Sequence, residues 1–459
     1  MRLRALRALR ALFGASSPRR ATPFVPSALG VHRVPLVFRP SVGPTPHASK
    51  ALSSFASSAA PRPPYASPPD ATRAVVYDRH APPRDVLAVR TVPVPPPGPG
   101  EVTVRFLASP ANPADVNSIE GSYPIAPASF PAVGGHEGVG VAYAFGEAVD
   151  PTATGLDPAR SWVIPNAPGL GTWREWATVP ASSLRPVPKS VPLELAAQMV
   201  VNLPTAYRVL RDFVRLRPGR DAVALNAPMS AVGRAAIQMC REMGVATMAT
   251  LRRGEARDDA TWRADADALE ALGATLVVPD GGGRRGGGGG GGGGKLLSSP
   301  EAMEAMEARG LAPFPPVALA LNGVGGESSA ALAGALTRGG VMVTYGGMSR
   351  RPAIVPTGAA IFKDVTARGF WLTRWSEEVE RAEAEAEEAT REEGGAPAKS
   401  LFAGGRGARD AMFAHLAEAA TRGTLEMPTE RLGFEAFAEA VAGGACGRGG
   451  RKTVLWMDE

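Results

Sequence analysis

The sequence predicts an α/β protein in which a β-rich domain precedes a doubly wound parallel sheet. Three observations carry that prediction. Between residues 72 and 179 the chain offers short β-branched or alternating runs separated by glycine and proline turns. From residue 220 onward strand-like and helix-like segments alternate, the pattern of crossover units around a parallel sheet. A length of 459 residues with 44% hydrophobic content is enough for two packed cores.

Taken in order, "TRAVVYDRH" (Thr72–His80) and "EVTVRFLASPANPADV" (Glu101–Val116) read as strands, with "VPVPPPGPG" as the turn-rich connector. "GVGVAYAF", "SWVIP" and "EWATVP" continue the β-rich part. "LELAAQMVVNLPTAYRVL" has helical spacing that Pro204 should interrupt. "DAVALN" is then a strand and "APMSAVGRAAIQMCREMG" a turn into a helix. "VATMATL", "ATLVVP", "PPVALALNGVGG" and "GGVMVTYGG" are further strands, with "DADALEALG" and "SSAALAGALTRG" as helices between them. Two segments read as insertions. Gly281–Gly294 ends in nine consecutive glycines and cannot repay its ordering entropy. The charged stretch from Ser376 to about residue 400 reads as a solvated helix or a disordered segment.

Charge is unevenly placed. Residues 1–69 hold ten of the 50 Lys and Arg and none of the 44 Asp and Glu, so the remainder carries a net −4. A nucleic-acid partner is therefore not expected. "MRLRALRALRALF" sets Leu3, Leu6, Leu9 and Leu12 on one helical face and Arg4, Arg7 and Arg10 on another. An amphipathic, Arg-rich, acid-free leader is expected to be an organelle transit peptide, mitochondrial first and plastid as the alternative. No apolar run reaches the ~18 residues of a membrane span, so no stable membrane insertion is expected. Two cysteines, Cys240 and Cys446, cannot build a disulfide framework or a four-thiolate zinc lobe.

The chemistry-bearing positions follow. After "DAVALN", the turn Pro228, Met229, Ser230, Ala231 opens a helix whose first amides suit a pyrophosphate. A strict G-x-G-x-x-G is absent, Gly233 being the one clear glycine. At the end of the next strand stand Arg252 and Arg253, followed by Gly254. Arginines there, in place of an acid, suit a ribose 2′-phosphate and point to NADPH. An ordinary βα turn and two solvated arginines are the plainer alternatives. "AVGGHEGVG" (Ala132–Gly140) resembles a fragment of zinc alcohol dehydrogenases, but a catalytic zinc needs three protein ligands. Asn112 and Asn202 stand where the thiolates of those enzymes would come, so no metal is expected. His136 then reads as a turn residue, with Glu137 bonded to nearby backbone.

Together "NPADVNSIEGSYP", "PAVGGHEGVG", "NAPGLGTWREWA", "VNLPTAYR", "GGVMVTYGGM" and "KDVTARGFWLTRW" resemble the mitochondrial trans-2-enoyl thioester reductases. These are a zinc-free branch of the medium-chain dehydrogenase/reductase superfamily. The resemblance covers residues 72–375 and, more loosely, 409–457. It departs at His136, where the family usually carries Asn, and in the less polar turn "APMSAVG".

The resemblance implies a GroES-like β-rich catalytic domain, 70–203, completed by 373–459, around a Rossmann NADPH domain, 204–372. It implies reduction of a trans-2-enoyl thioester, on acyl carrier protein or coenzyme A, in mitochondrial fatty acid synthesis, by a homodimer. Tyr123 matches the catalytic tyrosine, whose phenol can protonate Cα or steady the enolate oxygen. Asn202, Tyr345, Gly346, Gly347, Met348, Phe370, Trp371, Leu372 and Lys452 match cofactor-binding positions. Trp173 either shapes the acyl pocket or packs in the core. A quinone oxidoreductase of the same superfamily would need no proton donor at Tyr123. A binding or regulatory protein on this fold should show damaged cofactor contacts.

Overall fold

A computed structural model describes residues 67–253, 258–280, 296–392, 407–442 and 451–457. The leader up to residue 66, the glycine-rich stretch, Gly254, Cys446 and the charged stretch beyond Glu392 lie outside the described residues.

The β-rich part opens with β1 (Ala71–Tyr77), α1 (Pro83–Val86) and β2 (Ala88–Pro93). β3 (Glu101–Pro110) leads into α2 (Pro113–Ile119) and β4 (Ala132–Val133). β5 (Val139–Phe145), β6 (Ser161–Pro165), β7 (Trp176–Pro180) and β8 (Leu184–Pro188) precede the short α3 (Leu193–Ala196). The run 101–116 is thus not one strand. Pro110 and Pro113 lack amide donors, and Asn112 caps a new helix with Pro113 in its first turn, where the missing N–H does no harm. The Asp115 carboxylate accepts the Asn112 backbone N–H at 2.7 Å and closes that cap.

α4 (Asn202–Arg211) opens the second part. Pro204 does not interrupt the helical run. It lies in the first turn of α4, where an amide has no helical partner in any case. The break comes earlier, between Ala196 and Asn202. Strand and helix then alternate: β9 (Ala222–Leu225), α5 (Ala231–Glu242), β10 (Ala246–Leu251), α6 (Asp259–Leu272), β11 (Leu276–Pro279), α7 (Pro300–Ala308), β12 (Val317–Asn322), α8 (Gly326–Ala335), β13 (Val341–Thr344), α9 (Thr357–Lys363) and β14 (Thr366–Gly369). The six strands pair in parallel in the order β11-β10-β9-β12-β13-β14. All four residues of β9 are buried, as in a strand covered on both faces. The order reverses beside β9, which leaves a crevice at the carboxyl ends of the strands. This is the doubly wound sheet that the sequence predicts.

α10 (Leu372–Glu392) starts directly after that sheet, α11 (Ala408–Thr421) packs on α4, and β15 (Thr429–Gly433), α12 (Phe437–Ala442) and β16 (Lys452–Trp456) end the described chain. As far as Glu392 the charged stretch is helix, but it is not merely solvated. Trp375 and Val379 bury one of its faces in the core shared with Leu210 of α4 and Ala235 of α5. The chain therefore rejoins the first sheet at β15, later than residue 373. β16 lies between β15 and β3 in a sheet ordered β15-β16-β3-β5-β6-β8, with β7 also on β3. β2-β1-β4 form a smaller sheet. Trp173 is wholly buried in the core of this part. It packs under Gly134, where an added Cβ would come 2.5 Å from its ring, and it takes no part in the cavity described next. Of its two readings, core packing is the one observed.

Candidate active site

A cavity of about 620 Å³ opens between the two parts, within the range of small-molecule and cofactor sites. The β-rich part contributes Asn112, Tyr123 and His136, and β16 contributes Lys452. The start of α4 contributes Asn202 and Thr205. The turn before α5 contributes Ala227, Ser230 and Ala231, and the ends of β12 and β13 contribute Gly323, Tyr345, Gly346, Gly347 and Met348. Phe370, Trp371 and Leu372 complete the wall.

Four predicted residues stand outside this lining. Pro228 is buried beneath the turn, and the Met229 carbonyl accepts from Arg234 Nε at 3.2 Å. Arg253 is held by Asp259 at 2.8 Å and lies over the Trp262 ring. Arg252 is exposed just past β10. Gly254 lies outside the described residues. Sequence reasoning missed Thr205, Gly323 and Arg350 as lining residues. The glycines after β12, Gly323, Gly325 and Gly326, were the available signal for that end of the cavity.

The dinucleotide end is built by close packing. Ala227 takes a left-handed conformation (φ 49°), and the Ser230 side chain caps α5 by accepting the Gly233 N–H at 3.1 Å. A Cβ on Gly233 would fall 2.5 Å from the Ala227 carbonyl oxygen and 2.8 Å from Pro228 Cα. One glycine therefore suffices to seat the helix on its turn. The first-turn amides of Ala231 and Val232, which a helix leaves without internal partners, stand at the cavity wall. Across from them the Tyr345 phenol bonds to Ser230, and burial pushes it up to about 12. A Cβ on Gly323 would lie 2.9 Å from that phenol oxygen. These small residues leave a cradle that side chains would fill, which fits an anionic dinucleotide at a helix N-terminus.

At the other end, Tyr123 stands on the loop after α2. Its oxygen accepts from Trp371 Nε1 at 3.0 Å. Its ring meets Trp371 and His136 edge to face, with centroids 6.1 and 5.5 Å apart. Burial raises its pKa, so it stays a phenol.

Beneath it lies a buried polar network. Glu137 is not bonded to nearby backbone. Its Oε2 accepts the N–H groups of Val200 at 3.2 Å and Val201 at 2.8 Å, across the cleft at the start of α4. Its Oε1 accepts from Asn112 Nδ2 at 2.8 Å and Asn202 Nδ2 at 2.6 Å. Asn202 Nδ2 also donates to Asn112 Oδ1 at 3.0 Å, which in turn accepts from Lys452 Nζ at 2.7 Å. Burial pushes Glu137 up to about 7, against the pull of Asn112, Lys452 and the Val201 amide. Lys452 is buried, with its ammonium on the Ala111 carbonyl as well. His136 is buried too, with Nε2 2.8 Å from Ser118 Oγ and its backbone N–H on Asp115. Among the described residues no group of three or more His, Cys, Asp or Glu is placed to hold a metal ion.

Residues 98–189 match the alcohol dehydrogenase GroES-like domain. The chain is 40% identical over 305 residues to the mitochondrial enoyl-(acyl-carrier-protein) reductase of Caenorhabditis elegans, covering 66% of this chain and 78% of that one. To the protein of the same name from Bos taurus it is 41% identical over 310 residues, covering 68% and 75%. A solved complex of Etr1p with NADP and crotonyl-CoA superposes with a TM-score of 0.66 at 26% identity, over 84% of this chain and all of that one. The mitochondrial 2-enoyl thioester reductase Etr1p/Etr2p heterodimer from Candida tropicalis gives 0.65 at 26% identity, with the same coverage. With a GroES-like part, a parallel sheet in Rossmann order and relatives of this length and identity, the chain belongs to the family of mitochondrial enoyl-(acyl-carrier-protein) reductases.

Proposed function

We propose that this chain reduces the trans-2 double bond of an enoyl thioester with NADPH, in mitochondrial fatty acid synthesis. The observation that carries the reading is a phenol, Tyr123, in the wall of the same cavity as a dinucleotide cradle. NADPH, when bound, supplies the hydride that adds to Cβ. Tyr123 supplies the proton. Because its oxygen already accepts from Trp371 Nε1, its own O–H is left to donate to the substrate, at Cα or at the enolate oxygen. Its raised pKa keeps that proton in place until it is needed.

Ser230 and Ala231 at the head of α5 hold the pyrophosphate, and Tyr345, Gly346, Gly347 and Met348 line the strand-end crevice. Asn202, Phe370, Trp371, Leu372 and Lys452 surround the nicotinamide end. Arg252 and Arg253, past the end of β10, are the cations this reading assigns to the 2′-phosphate, with Pro228 and Met229 as backbone support. We assign the catalytic domain to 70–203 with the C-terminal segment, and the cofactor domain to the residues between. The arginine-rich leader serves import into the mitochondrion, the compartment in the names of the curated relatives.

A second copy of the chain is the partner this reading favours. β14 is the sheet's open edge, with all four residues exposed, and Ile361 and Phe362 beside it are 66% and 78% exposed. Whether the acyl group rides on acyl carrier protein or on coenzyme A is a matter for the assay. NADPH oxidation by the full chain is followed with trans-2-hexenoyl-CoA, the acyl-carrier-protein thioester and a quinone in parallel. Turnover of either thioester without the quinone is the expected outcome. Turnover of the quinone alone would replace this reading by that of a quinone oxidoreductase.

A further inference from the structure

We infer that Glu137 is a positioning residue that turns the side-chain carbonyl of Asn202 toward the cavity as a hydrogen-bond acceptor. The argument uses only donor and acceptor chemistry. An ionised carboxylate accepts and cannot donate, whereas an ammonium donates and cannot accept. Lys452 Nζ therefore requires the oxygen of the Asn112 amide, which leaves the Asn112 NH₂ for Glu137 Oε1. Glu137 Oε1 requires the NH₂ of Asn202, whose two protons go to Glu137 and to Asn112 Oδ1. Both amide orientations are dictated by the two charges at the ends of this circuit. What Asn202 has left for the cavity it lines is its Oδ1. Glu137 itself cannot turn away, because Val200 and Val201 donate backbone N–H groups to its other oxygen.

An acceptor at that point selects a donor, such as the carboxamide NH₂ or a ribose hydroxyl of a nicotinamide cofactor. This step rests on the reading of the cavity as an NADPH site. Glu137→Gln reverses the instruction. The Gln oxygen must face the two backbone donors, so its NH₂ faces Asn202. Asn202 can satisfy that NH₂ only by turning its oxygen inward and its own NH₂ toward the cavity. The Asn112 NH₂, held in place by Lys452, then faces the Gln NH₂ and loses its acceptor, and the Asn202–Asn112 bond is lost as well, while the polarity offered to the cofactor inverts.

The test is NADPH affinity by fluorescence titration of the full chain, in four forms: wild type, Glu137→Gln, Asn202→Ala and the double variant. Thermal midpoints are recorded without cofactor. The expected result is a tenfold or greater loss of affinity in Glu137→Gln, beside a midpoint lowered by the lost Asn112 bond, and less than a threefold further loss of affinity when the same change is made in Asn202→Ala. Equal losses in both backgrounds, or unchanged affinity in Glu137→Gln, would overturn the inference while leaving the functional reading intact. A wild-type chain that binds no NADPH would remove both. Should Glu137→Gln fail to fold, protonation of Glu137 serves in its place. Wild-type affinity, relative to that of Asn202→Ala, should fall as pH drops through about 7. Asp115 on α2, His136 beside it and Lys452 on β16 are the other charged or titratable groups packed around that carboxylate. A flat ratio between the two chains would overturn the inference.

Discussion

Replacing Tyr123 by Phe removes one oxygen and nothing else. The edge-to-face contacts with His136 and Trp371 belong to the ring and survive. One hydrogen bond is lost, from Trp371 Nε1 at 3.0 Å. A neutral bond of that kind contributes about 1 kcal/mol, and Trp371 is only half-buried, so water can take over its N–H. Stability should therefore drop by no more than about 1 kcal/mol. The chemical step should suffer far more. A lost general acid or oxyanion donor costs about 10²- to 10³-fold, or roughly 3–4 kcal/mol in the barrier. The assay is kcat at saturating enoyl-CoA, with NADPH affinity and urea unfolding measured on the same preparation. Trp371→Phe is the companion, since it removes the donor but leaves the phenol, and it should lose no more than about tenfold. A Tyr123→Phe enzyme within about threefold of wild-type kcat would refute the assignment of the proton to Tyr123. A large loss accompanied by lost NADPH binding would refute the claim that the hydroxyl acts on chemistry alone.

Other outcomes follow from the same structure. Gly233→Ala would drive a Cβ into the Ala227 carbonyl oxygen and the Pro228 backbone, neither of which can swing aside. We expect about 1–3 kcal/mol of lost stability and weaker NADPH binding by titration, against a neutral Gly369→Ala, where nothing lies within 4 Å. Trp375→Ala should cost about 3–5 kcal/mol by urea unfolding, since the ring is 1% exposed and carries the Arg208 guanidinium 4.3 Å from its centre. Glu137 titrates near 7 in the folded chain and at its ordinary 4.5 when unfolded. The folded state thus holds the extra proton, and stability falls as pH rises from about 4.5 to 7, by roughly 3 kcal/mol. Unfolding of Glu137→Gln across that range should lack this component, and an unchanged slope would show that Glu137 does not titrate there.

The alternation of strand and helix was legible because each period is local: β9, β10, β12 and β13 are short apolar runs ended by glycine, asparagine or a charge. Tyr123 and Trp371 were legible only through unusual strings around them. What could not be read was anything that depended on closure. Asn112, Glu137, Asn202 and Lys452 come from four distant segments, and no spacing along the chain announces that they meet in one circuit. The sequence supported a bland turn at His136-Glu137 because a turn is all that nine local residues can specify. Pro110 and Pro113 carried the signal that β3 should stop, but the β-branched run before them outweighed it. Trp173 was undecided for a different reason. A tryptophan after a glycine turn packs inward or lines a pocket according to what lies opposite, and here Gly134 and Gly135 lie opposite.

The placement of β16 has a consequence for the order in which the enzyme comes into being. Lys452 is synthesised after every other residue of the circuit and, in a chain imported leader first, enters after them. Until it arrives, the end of β3 lacks its β16 neighbour and Asn112 lacks the ammonium that sets its amide. The parallel sheet has all six strands by residue 369 and can fold as a unit well before then. A nascent or half-imported chain can therefore own a formed dinucleotide cradle while its reaction chamber is still open. Competence for the reaction arrives in one step, with β16.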